Sequence, residues 1–448
     1  MSNDLRERFG QAENEMAFGE GSLESVIARA DQRTRRTQIA GGATAILIVA
    51  VLGFFLFQLI NPEPPSEIID VTNEADTNTE SLSSSTLSEA DFVYAGTFTA
   101  PDVDGESNFE FGGHTIAFNP ENDSLFITGF RNNPEVAEIS IPDFIAHEGS
   151  RTDLVEAELL QPFADITEGE ALARIGSVEV GGQDNYRING LEVVEGDDGP
   201  RLHWTATQYQ NAVPHVLPGH RHSSLDLSNP DVEGPFFVEG FIAEQTAGYI
   251  FQVPQEFADS ALGGRSLVSG YQEEVRGFTS RGAPFFAFDV PGSVVTEGTV
   301  EATELVNYEF PEEESEFLAS SMRVPGADWV STPDGRSAIV TVGNSMNLDV
   351  SEDCRFGRST DVSAHSPQMS LYDPADLAAV AAGTSQPSEV EPYLVISLED
   401  DVIPVCGAQL GAIAFDAENN RLFVVQESVT ANESDFDARP AIHVFTVG

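Results

Sequence analysis

The sequence predicts an all-β ectodomain, a β-propeller of five blades, preceded by one membrane-spanning helix. Three observations carry this reading. First, a strand–turn–strand unit recurs without a gap near both ends of the domain: residues 116–127 read IAFNPENDSLFI and residues 413–424 read IAFDAENNRLFV. Second, from residue 91 onward short runs rich in Phe, Val and Ile alternate with Gly, Pro, Asn and Asp, and no long stretch keeps a 3.6-residue apolar period. Third, Ile39 to Ile60 contains no charged residue. A helix of that length covers a hydrocarbon core of roughly 30 Å.

Residues 1–38 form a tail of mixed charge, in which Ser22 suits the N-cap of one short helix. Arg29, Arg33, Arg35 and Arg36 precede the apolar run, and Glu63, Glu67 and Asp70 follow it. Basic residues stay on the cytoplasmic side, so this places residues 1–38 inside, residues 39–60 in the membrane and the C-terminal domain outside. A cleaved signal peptide is the alternative; the run exceeds the usual core of such peptides and no small-residue cleavage site follows it. Residues 61–90 are rich in Pro, Ser, Thr and acids and nearly without aromatic residues. That composition predicts a disordered stalk, because it offers too little apolar surface to fold.

Residues 91–448 form the ectodomain. Further copies of the repeat are WVSTPDGRSAIV at 329–340, a looser LEVVEGDDGPRLHW at 191–204, and the pair YIFQVP and SLVS between Gly248 and Ser269. A third strand is predicted after each pair, at 138–142, 223–230, 285–291, 369–374 and 442–447. Repeated antiparallel units of this kind indicate a propeller; a β-sandwich is the alternative. These segments resemble the blades of NHL- and WD40-type propellers over most of residues 92–448, at the level of the fold only, because the Trp-Asp and Gly-His signatures do not recur. The strand FVYAGTFTA at 92–100 is expected to complete the last blade and close the ring. Spacing leaves room for a sixth or seventh blade in 143–187 or 300–326.

The chain has 74 acidic and 21 basic residues, a net charge of −53, and every basic residue is Arg. Such a surface excludes nucleic-acid binding, which needs phosphate neutralisation. Long loops gather on one face of the predicted ring, and function tends to follow loop length. Cys354 and Cys406 both fall on that face, where a disulfide is expected; free core thiols are the alternative. Arg187, Arg221, Arg276, Arg281, Arg323, Arg355 and Arg358, with Tyr186, Tyr209 and Tyr271, are the candidate ligand-binding residues of that face. Arg grips carboxylate or phosphate with two parallel hydrogen bonds; the competing role is salt bridging to acidic loops such as Glu312–Glu316.

No metal site is predicted. His220 and His222 lack a third ligand at fixed spacing and are read as surface residues. No cofactor is expected; calcium is left open by the clusters Asp102, Asp104, Glu106 and Asp349, Glu352, Asp353, neither of which fits the EF-hand pattern. Asp328 and Glu192, near the start of two inner strands, are the candidate catalytic carboxylates. Two such groups are needed for glycoside cleavage. The sequence therefore supports a membrane-anchored extracytoplasmic module binding an envelope glycan, an anionic ligand or a protein partner, with a polysaccharide hydrolase or lyase as the alternative.

Overall fold

The computed structural model describes residues 86–103, 107–110, 112–130, 135–169, 186–196, 199–208, 219–241, 243–271, 283–289, 298–308, 321–347, 364–404, 409–430 and 438–448. Residues 39–60, the tail, most of the stalk and both cysteines lie outside these. No helix among the described residues is long and apolar enough to cross a membrane.

The chain forms a five-bladed β-propeller. After β1 (Phe92–Thr99), blade 1 contains β2 (Ile116–Asn119), β3 (Ser124–Thr128), β4 (Val136–Ser140) and, after the short β5 (Val155–Glu156), β6 (Leu159–Ala164). Blade 2 is β7 (Tyr186–Gly196), β8 (Gly199–Gln208), β9 (His220–Ser223) and β10 (Glu233–Val238). Blade 3 begins with β11 (Ile250–Gln252), continues through helix α1 (Gln255–Ala261) to β12 (Leu267–Ser269) and β13 (Phe285–Phe288), and ends, past β14 (Gly298–Val300), on β15 (Ala302–Val306). Blade 4 is β16 (Ser321–Ser331), β17 (Ser337–Asn347), β18 (Ala364–Tyr372), helix α2 (Pro374–Ala381) and β19 (Leu394–Ser397). Blade 5 is β20 (Leu410–Asp416), β21 (Arg421–Thr430) and β22 (Ala438–Val447). β1 pairs antiparallel with β22 along Phe92↔Val447 to Thr99↔Ala441, so the first described strand is the fourth of blade 5. The segments that left room for further blades instead complete existing ones: 155–164 supplies β5 and β6, and 302–306 supplies β15. The third strand of blade 2 runs over 220–223, earlier than the spacing predicted, because residues 224–230 are taken up by turns.

Each strand presents alternate side chains to its two sheet faces. Both faces are covered in interior strands such as β3 and β13, while the outer β5, β6 and β19 are largely exposed. In β3, Leu125 and Ile127 join the core shared with blade 5, while Phe126 joins the core shared with blade 2. The apolar interior is thus divided into five layers, one at each junction between blades. That explains why the strands read as apolar runs and not as a clean two-residue alternation. The polar turns of the repeat are fixed by buried carboxylates. Glu138 accepts from Asn119, Asn122, Ser124 and Gln161, and Asp416 accepts from the Glu418 amide, from Asn419 and from Arg421.

The inner strands β2, β7, β11, β16 and β20 touch one another in turn and close the ring. Close approach requires glycine at two positions. A Cβ on Gly190 would fall on the Gly248 carbonyl oxygen, and one on Gly326 would lie 2.6 Å from the Ile413 amide nitrogen. Backbone neighbours cannot rotate away, so Gly190→Ala is expected to destabilise the domain by about 1–3 kcal/mol. Urea unfolding measures this; a loss under about 0.5 kcal/mol, the level of an ordinary surface change, contradicts the tight ring.

Candidate functional site

Hydrogen bonds link the inner strands of neighbouring blades. His114 at the entrance to β2 donates from Nε2 to the Ile188 carbonyl in blade 2 at 2.5 Å, while its own carbonyl accepts from the Ala412 amide of blade 5. Asn189 of blade 2 donates to the Ala247 carbonyl at 3.1 Å, and the Thr205 hydroxyl donates to the Gly248 carbonyl at 2.5 Å. Both candidate carboxylates belong to this set of contacts. Glu192 Oε1 accepts from the Gln252 amide of blade 3 at 3.4 Å. Asp328 Oδ2 accepts from the Phe415 amide of blade 5 at 2.7 Å, and its Oδ1 accepts from the Trp329 amide at 2.7 Å. Each acid therefore leaves its own inner strand and seats on the inner strand of the next blade.

The structure brings these two residues, 136 positions apart in sequence, into electrostatic contact. Burial raises the Glu192 carboxyl well above its ordinary range; the charge of Asp328 raises it further, against the opposing Gln252 amide. Burial pushes Asp328 up to about 7, against the two backbone amides it accepts from. Asp328 is 7% exposed, while Glu192 retains a larger share of its surface. Ionised Asp328 disfavours ionisation of Glu192, which therefore keeps its proton to higher pH than an ordinary carboxyl does. Such a pair offers an O–H donor beside unused acceptor lone pairs.

The other candidates are distributed differently. Arg221 is not a loop residue: it lies in β9, is 1% exposed, and packs its guanidinium against the Trp204 ring at 5.7 Å. Arg187 is partly buried in β7. Arg323 lies in β16 opposite Asn344, and Tyr186 in β7 opposite Gln208. Tyr271 is buried, at 8% exposure. Arg276, Arg281, Arg355, Arg358, Tyr209, Cys354 and Cys406 lie outside the described residues, as do Asp104, Glu106, Asp349, Glu352 and Asp353.

His220 and His222, expected at the surface, are buried in β9, because β9 is an interior strand flanked by β8 and β10. Their companion His203, in β8, was not singled out from the sequence. The available signal is the alternation His-Arg-His beside the equally alternating Leu202, Trp204 and Ala206, all of them core residues. Among the described residues no three His, Cys, Asp or Glu side chains are grouped to hold a metal ion.

No family model matches the sequence, and no curated protein matches it. Solved structures with a similar fold include a thermostable family-43 glycoside hydrolase, at 14% identity over 78% of this chain and 92% of that one, with a TM-score of 0.36. An Aspergillus kawachii β-fructofuranosidase complexed with glycerol matches at 13% identity over 75% and 54%, with a TM-score of 0.38. An α-L-arabinofuranosidase from Podospora anserina in complex with cellotriose matches at 8% identity over 79% and 97%, with a TM-score of 0.34.

Replacing Asp328 by Asn turns an NH2 group toward one of the two amides the carboxylate now accepts from. The expected loss is about 1–3 kcal/mol. Its pH dependence has a definite sign. The folded-state value of Asp328 is raised from 3.8 to about 7, so its contribution is full below pH 3.8 and is lost as pH rises toward 7. The deficit of Asp328→Asn relative to wild type is therefore largest near pH 4 and narrows toward pH 8. Urea titrations at the two pH values check this; a deficit that widens with pH contradicts it.

Proposed function

We propose that this chain is a membrane-anchored, extracytoplasmic propeller that binds a glycan of the cell envelope at the inner strands of blades 2 and 4. Residues 39–60 supply the anchor, residues 61–90 the stalk, and residues 91–448 the binding domain. The observation that carries this reading is the Glu192–Asp328 pair: two carboxyls on the inner strands of different blades, electrostatically coupled and both held protonated above the ordinary carboxyl range. A vicinal pair of sugar hydroxyls both donates and accepts, and a half-protonated carboxyl pair does the same. A selective polar cluster in a concave setting is the usual form of a small-molecule site.

A second reading, a glycan hydrolase, is favoured by the same pair. Glu192, kept protonated by burial and by the Asp328 charge, suits the general acid, and Asp328, held up to about 7, the base or nucleophile. The two readings differ in turnover. Loops bearing Arg276, Arg281, Arg355 and Arg358 remain candidates for anionic groups of the same ligand, and the Cys354–Cys406 bridge remains a proposal for that face.

Glu192→Gln is the discriminating variant, because Gln keeps an acceptor for the Gln252 amide while removing the titrating group. Calorimetric titration with neutral and acidic oligosaccharides is expected to show saturable binding by wild type and at least tenfold weaker binding by Glu192→Gln at unchanged stability. Equal affinity of the two proteins for every glycan that binds overturns the proposed site. Release of reducing sugar by wild type and not by the variant decides for the hydrolase.

A further inference from the structure

The junction between blades 2 and 3 differs from the other four. Its apolar layer holds six buried residues among those described, Val194, Phe236, Val238, Ile250, Leu267 and Phe288, and is the smallest of the five. The remaining space is occupied by three histidines. His203 and His220 are fully enclosed and His222 is 7% exposed. His203 Nε2 lies 3.2 Å from His220 Nδ1, and the His203 ring meets those of His220 and His222 edge-on at 5.4 and 4.3 Å. His220 also packs against Phe288 of blade 3, at 4.9 Å.

Strand register explains the cluster. Glu192 of β7 stands opposite His203 of β8, which stands opposite His222 of β9, which stands opposite Glu233 of β10. Directly opposed residues share a sheet face, so these four form one row from the inner edge of blade 2 to its outer strand. His220 stands two positions from His222 on the same face. Arg221, between them, turns to the other face, against Trp204.

Two buried ring nitrogens, His203 Nδ1 and His222 Nε2, have no hydrogen-bond partner, and His220 Nε2 has no well-formed one, only the Thr246 backbone beside it. Among the described residues no carboxylate hydrogen-bonds any of the three rings. Glu233 forms an ion pair with Arg201 at 3.7 Å, and Arg201 opposes a positive charge on His222. Glu192 is turned to the Gln252 amide. Blade 3 contributes Ile250 and Phe288, with the Thr246 backbone near His220. All three imidazoles are thus built to be neutral. Burial holds His203 well below the usual range, with His222 and His220 reinforcing it. Burial also lowers His220 to about 3, against the Thr246 backbone, and His222 to about 4, with Arg201 adding to it.

We propose that the blade 2–blade 3 junction is an acid-sensitive joint: the neutral triplet His203, His220 and His222 keeps it closed, and protonation of the triplet opens it. The sign follows from linkage. These bases bind protons more weakly folded than unfolded, so the stability they support is full above about pH 6.5 and falls as pH drops toward 4. The opening is local, because no other junction carries a histidine triplet among the described residues. Buried His443 of blade 5, which meets His147 at 5.9 Å, is hydrogen-bonded at both ring nitrogens, by Thr97 and Gln426. It detaches Glu192 from its seat on blade 3, so a ring that is intact near neutrality loses the inner edge of blade 2 in acid. This inference concerns the fold and stands apart from the glycan reading.

Amide hydrogen exchange of the full chain in mild detergent, read by mass spectrometry at pH 6.5 and pH 4 and corrected for intrinsic rates, tests it. Protection in 199–208 and 219–238 is expected to fall at least tenfold more than protection in 321–347. His203→Phe and, separately, His222→Gln are expected to remove most of that difference. Equal loss in all blades overturns the proposal, and so does a wild-type pattern in both variants. Retained protection at pH 4 in wild type overturns it as well. A rise in the melting temperature on adding zinc, lost in His203→Phe, would assign the triplet to a metal and overturn it too.

Discussion

Everything in this domain depends on how closely five inner strands can approach one axis. Once β2, β7, β11, β16 and β20 are brought edge to edge, each sheet must present two apolar faces, because a neighbour lies on either side. Small residues are then required where backbones meet, as at Gly190 and Gly326. The backbone groups of the inner strands have no further strand to pair with and need polar partners. His114, Asn189, Glu192 and Asp328 are those partners, each reaching from one blade to the backbone of the next.

This constraint explains why ionisable groups appear at the centre of so apolar a structure. A carboxylate accepting amide hydrogen bonds stitches two blades together more strongly than a neutral acceptor does. Burial counteracts ionisation, and at Glu192 the nearby Asp328 charge adds to that effect. The same two residues thus serve the fold and are held protonated above the ordinary carboxyl range, Asp328 up to about 7. A merely structural stitch can also be made by Asn, as at Asn189, whose amide donates to the Ala247 carbonyl.

Much of the architecture was legible in the sequence. The gapless repeat at 116–127 and 413–424 corresponds to β2–β3 and β20–β21, two equivalent inner hairpins. Short strands punctuated by turn residues identified the class. Asp328 and Glu192 do lie on inner strands, but well along them and not near their starts, because β7 begins at Tyr186 and β16 at Ser321. What stayed hidden depends on register between distant strands. The buried state of His220 and His222 follows from β9 lying between β8 and β10, and their contact with His203 follows from cross-strand pairing. Neither is encoded in local spacing. Arg221 was misplaced for the same reason: a loop assignment for 209–222 put a strand residue among the loops. The contact between Glu192 and Asp328 needs the whole ring to close before it exists.

The coupling of that pair is the central claim, and carboxyl carbon NMR tests it most directly. With Asp-selective carbon-13 labelling, the Asp328 resonance can be assigned by its absence in Asp328→Asn and followed from pH 3 to pH 9. A midpoint near 7 is expected for Asp328, set by its burial. With Glu-selective labelling, Glu192 is expected to titrate above the ordinary carboxyl range and to shift toward acid in Asp328→Asn, where the neighbouring charge is gone. An Asp328 midpoint near 4, or a Glu192 midpoint that Asp328→Asn leaves unmoved, would contradict the coupling.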